Sequence, residues 1–265
     1  MTTFYGLPNA EPFWHWTTPV HFALVALAGG TAFYVALRAL RKDPSARRLA
    51  WLALAFIALD LLMLWAESPA RFRLTHLWLF LSFKPSAPIW WGAWGLAASA
   101  LLLLLLALGA RGERLWAGLL ALSSAVVLLY PGYALAVNAA RPLWDHLLLA
   151  LFPATGLLLA LGLLAWLRPA AEVAPWLQVA ALVSLILTVL YPLALRFGNA
   201  AQQTAFAQWL EGAGTFAAAT VLLAVAAIWA RKNPYLAGGC AIVATVLLRS
   251  WIVEAGQHTL LTHGF

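Results

Sequence analysis

The chain has 265 residues, 64% of them hydrophobic and 9% charged, with 15 tryptophans and a mean hydropathy of +0.87. That balance excludes a soluble globular domain and marks an all-α integral membrane protein. A net charge of +7 does not argue for nucleic acid here, because the basic residues sit in short loops between apolar runs of about 20 residues, the length that crosses a bilayer.

Residues 1–16, MTTFYGLPNAEPFWHW, are aromatic and turn-rich and contain no Lys or Arg. They predict an extracytoplasmic N-terminal segment at one membrane face, with Trp14 and Trp16 in an interfacial belt. No basic stretch or small-residue cleavage site precedes the first span, so no removable signal peptide is expected. Eight spans follow, at about 17–38, 48–67, 88–108, 114–136, 146–167, 174–195, 208–230 and 235–256. The odd-numbered connections hold Arg38, Arg41, Lys42, Arg47, Arg48, Arg111, Arg114, Arg168, Arg231 and Lys232; the even-numbered ones hold Arg71, Arg73, Lys84, Arg141 and Arg196. The excess of positive charge places the odd-numbered loops in the cytoplasm and both termini outside. The connection 68–87 is long for a membrane bundle and carries the semi-apolar run L-W-L-F-L-S-F, too short to span. It is expected to lie in the outer interface, as a lid, a docking surface or a simple connector.

Span two ends in the most charged stretch of the apolar region, with Asp60, then Glu67, then Arg71, Arg73 and His76 after Ser68-Pro69. A carboxylate inside a membrane costs several kcal/mol unless paired, hydrated or protonated, so such acids are functional candidates. Seven helical residues put Asp60 and Glu67 on one face, roughly 10 Å apart along the axis, an arrangement suited to a proton path. Arg249 in span eight is expected at the depth of Asp60, and the two can pair if their helices touch.

All six histidines fall on the predicted outer side. A pair of haems at two membrane depths would need histidines at both, so a transmembrane haem wire is not expected. Single Cys240 excludes an internal disulfide and any cysteine-built zinc or iron–sulfur centre. His21 lies one turn into span one with Thr17 and Thr18 on its face. It either satisfies itself locally or serves a ligand from the outer leaflet. Tyr130 stands before Pro131, which removes a helical hydrogen bond and leaves a free carbonyl; the tyrosine is either a belt residue or a ligand group. Segments 123–131 and 184–192 both place a Ser two turns before a Tyr-Pro, an echo compatible with chance or with common ancestry. An imidazole, a phenol and two buried acids near a lipid opening suit a quinone, whose ring oxygens need a polar partner at each end. Quinol oxidation also requires proton acceptors, for which His21 and Glu67 qualify. A proton or small-ion transporter using Asp60, Glu67 and Arg249 is the alternative, and a b-type cytochrome is a third reading.

The segments F-Y-G-L-P-N-A, W-H-W-T with His21, W-A-E-S-P-A-R-F-R, T-H-L-W-L-F-L-S-F, S-A-P-I-W-W-G-A-W-G, L-Y-P-G and A-V-N-A-A-R-P-L-W resemble the NrfD-like family of quinol-interacting membrane anchors. The likeness is dense over about residues 1–155 and thinner afterwards. It implies a single transmembrane domain over 1–265, eight helices arranged as two four-helix bundles, no haem or metal in this chain, and menaquinol bound near the outer face. It further implies electron transfer to a ferredoxin-like iron–sulfur subunit and on to a molybdopterin catalytic subunit, in a bacterial inner membrane; a dimer of such complexes is compatible with it. Carried over by position, His21 and Tyr130 match quinone contacts and Glu67 a buried acid of the proton path and quinone site. Position 18 holds Thr18 where the family pattern has an amide, so a hydrogen bond remains available over a shorter reach. The loop with Arg71, Arg73 and His76, together with residues 1–16, becomes the expected docking surface for the partner.

Overall fold

In a bilayer each backbone N–H and C=O must find its partner within the chain, so Leu/Ala-rich runs of this length fold as helices. The computed structural model describes residues 17–67, 82–138, 141–168 and 170–258, leaving the side chains of Glu67, Ala170, Ala171 and His258 outside the description. Among the described residues there are nine helices: α1 (Thr17–Leu40), α2 (Ser45–Glu67), α3 (Pro88–Ala107), α4 (Glu113–Ala136), α5 (Leu148–Leu167), α6 (Ala170–Phe197), α7 (Ala200–Glu211), α8 (Ala213–Trp229) and α9 (Pro234–His258). Seven are long and apolar enough to cross a membrane, and α7 with α8 forms an eighth candidate, bent by 82°.

The neighbour relations give two four-helix bundles. Helices α1, α2, α3 and α4 close one ring, and α5, α6, α8 and α9 close the other; α1 and α4 pack on α5 between them. Helix α2 is the outermost kind, with a narrow buried stripe of Ala46, Leu49, Ala50, Ala53, Ile57 and Asp60, while Leu59, Leu61 and Leu62 are exposed. The stripe repeats every three to four residues, so Asp60 occupies a core position on the face turned to α1. Helix α1 is buried nearly all round, as its place between the two rings requires.

The two ends of the bundle differ in chemistry. At the basic end Arg38 pairs with Asp43 and, at 2.8 Å, with Glu172, which also lies 3.7 Å from Arg168. These contacts tie the end of α1 to the start of α6, joining the two bundles. Burial pushes the Asp43 carboxyl up, but hydrogen bonds from Ser45 and the charge of Arg38 outweigh it and hold the group below the usual carboxylate range. At the opposite end the 141–147 segment caps α9: Trp144 donates to the Ile252 carbonyl at 3.0 Å, and Arg141 donates to the carbonyls of Gly256 and Gln257. The carbonyls of Gly256 and Gln257 are among the last four of the helix, which have no partner within it.

Span seven differs from the expected 208–230. Gly212 interrupts the helix there, the Trp251 indole packs against it where a side chain would stand, and α7 turns away under an Asn199–Gln202 capping box. The straight apolar part of that candidate span is α8, 17 residues or about 26 Å, just short of a bilayer core. The two Tyr-Pro segments also diverge: Ser123 accepts from Ser99 across α3–α4 at 2.9 Å, whereas Tyr191 donates to the Leu143 carbonyl and stacks on Phe216.

Candidate functional site

Three helices of the first bundle bring one polar side chain each to a common point. His21 stands one turn into α1, Asp60 two turns before the end of α2, and Tyr130 near the end of α4. All three are buried, with 5%, 0% and 7% exposure. The His21 Nδ1 lies 2.6 Å from Asp60 Oδ1, and the Nε2 is hydrogen-bonded to the Tyr130 hydroxyl. Both ring nitrogens are thus engaged, one by an acid and one by a phenol.

Which nitrogen donates depends on the tautomer, and the charge on Asp60 selects it. With Asp60 ionised, Nδ1–H donates to the carboxylate, and the lone pair on Nε2 accepts from Tyr130 O–H. The short distance to Asp60 is that of a charge-assisted bond. The second carboxylate oxygen, Oδ2, is buried without a partner among the described residues, so the acid has unused capacity to accept a proton or a water. The cluster can take a proton from a donor at Nε2, pass one along the ring to Asp60, or hold an oxygen atom against Tyr130.

The surrounding residues fix this geometry. A Cβ at Gly92 of α3 would stand 2.8 Å from the Tyr130 ring, so only a residue without a side chain lets that ring lie flat against α3. Trp90, one residue pair earlier in the same segment, has a buried indole N–H without a partner among the described residues. Thr18, three residues before His21, is buried.

Arg249 is a partner for Asp60 only if α2 and α9 touch, and they are not packed together. It does not pair with Asp60, whose partner is His21. Its Nη1 donates to the Phe22 carbonyl at 2.7 Å, its Nη2 to the Phe152 carbonyl, and its Nε to Thr155 Oγ1 at 3.1 Å. The reason is connectivity: α9 packs on α1 and α5, not on α2. Glu67 is the last residue of α2 and its side chain falls outside the description, while Arg71, Arg73 and His76 lie outside the described residues. The sequence reading therefore found His21, Tyr130 and Asp60 but not that the acid pairs with the imidazole. It missed Gly92, Trp90 and the carbonyl cradle of Arg249; a glycine inside the W-W-G-A-W-G run was the one local signal available.

A family model described as polysulfide reductase, of the NrfD type, matches residues 1–265. No curated protein matches the chain significantly. The match covers the whole chain, including the second half in which the sequence likeness is thin, and its all-helical, multi-pass architecture agrees with the structure. Such subunits are quinol-interacting membrane anchors of molybdopterin oxidoreductase complexes in general. The chain belongs to the NrfD family of polysulfide reductase membrane subunits.

Proposed function

We propose that the His21–Asp60–Tyr130 cluster is the site at which menaquinol is bound and oxidised. The observation that carries this reading is a buried imidazole held between a carboxylate and a phenol inside a membrane bundle of this family. A quinol hydroxyl is a donor and a quinone carbonyl an acceptor. Once the quinone ring parts the Tyr130 O–H from His21 Nε2, the imidazole takes a proton from the first and the phenol donates to the second, so one pair of side chains serves both redox states. Thr18 supplies a further hydrogen bond near the ring.

Oxidation releases two electrons and two protons. The electrons leave to a ferredoxin-like iron–sulfur subunit docked through residues 1–16 and the Arg71, Arg73 and His76 loop, and onward to the molybdopterin subunit. The protons leave from His21 through Asp60 toward Glu67, about 10 Å further along α2. Arg249 belongs to this path as a fixed charge, since a guanidinium keeps its protons. The basic end of the bundle faces the cytoplasm of a bacterial inner membrane, with both termini outside. Ion transport through the same charges has less support: the one sharp helix break among the described residues, at Gly212, lies at the start of α8 and not at the middle of a long apolar helix, where transporters unwind their helices.

Photolabelling of the full-length chain in lipid nanodiscs with an azidoquinone, followed by peptide mapping, tests the site. Label competed by excess menaquinone analogue is expected in the peptides containing His21 and Tyr130. Competed label confined to α6 or α8 would contradict the assignment. Gly92→Ala is expected to push the Tyr130 ring off His21 and weaken binding of a quinol-site inhibitor about tenfold, since overpacking of this kind costs about 1–3 kcal/mol. Unchanged affinity in an inhibitor titration would mean that the Tyr130 position does not matter to the ligand.

A further inference from the structure

At the basic end of the first bundle, the turn after α1 and the turn after α3 close their helices in the same way. After α3, Gly109 N–H donates to the Leu106 carbonyl at 3.1 Å and Ala110 N–H to the Leu105 carbonyl at 2.9 Å, with Gly109 left-handed at φ +72°. After α1, Lys42 N–H donates to the Ala39 carbonyl at 2.9 Å and Asp43 N–H to the Arg38 carbonyl at 3.0 Å, with Lys42 left-handed at φ +58°. Glycine is the usual residue at that position, because it has no Cβ to clash. Lys42 is the one non-glycine residue with such a backbone among the described residues. The turn after α1 thus takes a less favourable residue and gains an ammonium.

That side chain lines a cleft of about 560 Å³, together with Ala39 at the end of α1 and Gly112, Glu113, Arg114 and Leu115 at the start of α4. The size is within the range of small-molecule sites. One wall is pinned, since the Trp116 indole donates to the Arg111 carbonyl at 2.7 Å and fixes the turn before α4. The positive charge of the cleft is not spent on the protein. Asp43, next to Lys42, is taken by Arg38 and by the Ser45 N–H, and neither Lys42 nor Arg114 has an ion-pair partner among the described residues. Glu113 offsets one of the two cations in the lining. Arg47 adds another beside it, packed on Gly109 where a Cβ would stand 3.1 Å from its guanidinium carbon.

Leu115 links the cleft to the apolar surface of the bundle. Leu115, Leu119 and Leu122 are all exposed and stand at i, i+4 and i+7, on one face of α4. A cationic cleft at the head of an exposed leucine row matches the two parts of a phospholipid in their order from the membrane surface inward. Basic clefts between helices at the surface take anionic headgroups, and a soluble anion has no use for the row.

We propose that the cleft between the α1–α2 turn and the start of α4 binds an anionic phospholipid, with its phosphate between Lys42 and Arg114 and an acyl chain along Leu115, Leu119 and Leu122. The site is independent of the quinol reading, because His21 lies roughly 30 Å away along α1. A phosphate held there joins the end of α1 to the start of α4, the two helices that carry His21 and Tyr130.

Native mass spectrometry of the full-length chain in detergent, titrated with phosphatidylglycerol or with phosphatidylcholine of the same acyl chains, counts the bound lipid. Wild type is expected to retain one phosphatidylglycerol at concentrations where phosphatidylcholine has left. Lys42→Asn combined with Arg114→Gln is expected to weaken that binding about 30-fold, the effect of two basic residues at a charged surface. Asparagine tolerates the left-handed conformation, so the turn keeps its shape. Arg231→Gln with Lys232→Gln, in the basic turn between α8 and α9, controls for surface charge and is expected to leave the binding unchanged. Equal affinity of wild type for the two lipids, or equal loss in the two double variants, would overturn the proposal. Inorganic phosphate is expected not to displace the lipid at millimolar concentration; full displacement would make the cleft a site for a free anion and overturn the lipid assignment.

Discussion

His21→Ala is expected to lower quinol oxidation by the assembled complex at least about 100-fold, the range in which loss of a positioned proton acceptor falls. Two effects act together. The quinol loses the Nε2 lone pair that takes its proton, and Asp60, buried with no exposure, loses its partner. An unpaired buried carboxylate costs about 3–5 kcal/mol, so the variant is also expected to melt at a lower temperature and to recover part of that loss at acidic pH, where the acid is neutral. Steady-state quinol oxidation in membranes, beside thermal unfolding of the purified chain at two pH values, separates the two effects. Full activity in a folded variant would remove His21 from the chemistry.

Asp60→Asn dissects the pair from the other side. The amide keeps the size of the side chain and its oxygen can still accept from Nδ1–H, so packing in the α1–α2 seam is conserved. What disappears is the negative charge that stabilises His21 once it has accepted a proton, and the preference for the tautomer with its lone pair on Nε2. Single-turnover quinol oxidation is expected to slow about 100-fold, with inhibitor affinity changed much less. Stability is expected to hold or rise, because a buried charge is exchanged for a neutral group. A rate within about threefold of wild type would make Asp60 a structural acid. The combination of lost rate and retained stability distinguishes this variant from His21→Ala.

Much of the fold was legible because each span is written as an apolar run that can only be a helix in lipid. The expected ends fall within a few residues of the helices α1 to α6 and α9. The one clear departure, at α7 and α8, comes from a residue whose effect is tertiary: Gly212 continues a helix or breaks it depending on whether an indole occupies the space beside it. The two-bundle arrangement came from resemblance and not from pattern, since no periodicity says which Leu-rich helix packs on which.

The site was legible as a set of residues and not as a constellation. His21, Asp60 and Tyr130 each announce themselves as polar groups in apolar helices. That α1 touches α2 and α4 at those positions is a matter of packing, and with it the pairing of the imidazole. Arg249 was expected beside an acid because charge suggests opposite charge; its actual partners are carbonyls, which every residue carries and no sequence pattern marks. Gly92 was equally silent, because the space it leaves is defined by the ring of another helix.

The central claim is that a quinone binds at the His21–Tyr130 pair, replacing the bond between them. The direct measurement is a fluorescence titration of a quinol-site inhibitor against the purified full-length chain in nanodiscs, with His21→Ala beside it. Saturable binding to wild type, weakened at least about 30-fold in the variant, which corresponds to about 2 kcal/mol, is the expected result. Binding of equal affinity in both proteins, with the variant folded, would contradict the account and place the quinone elsewhere in the bundle.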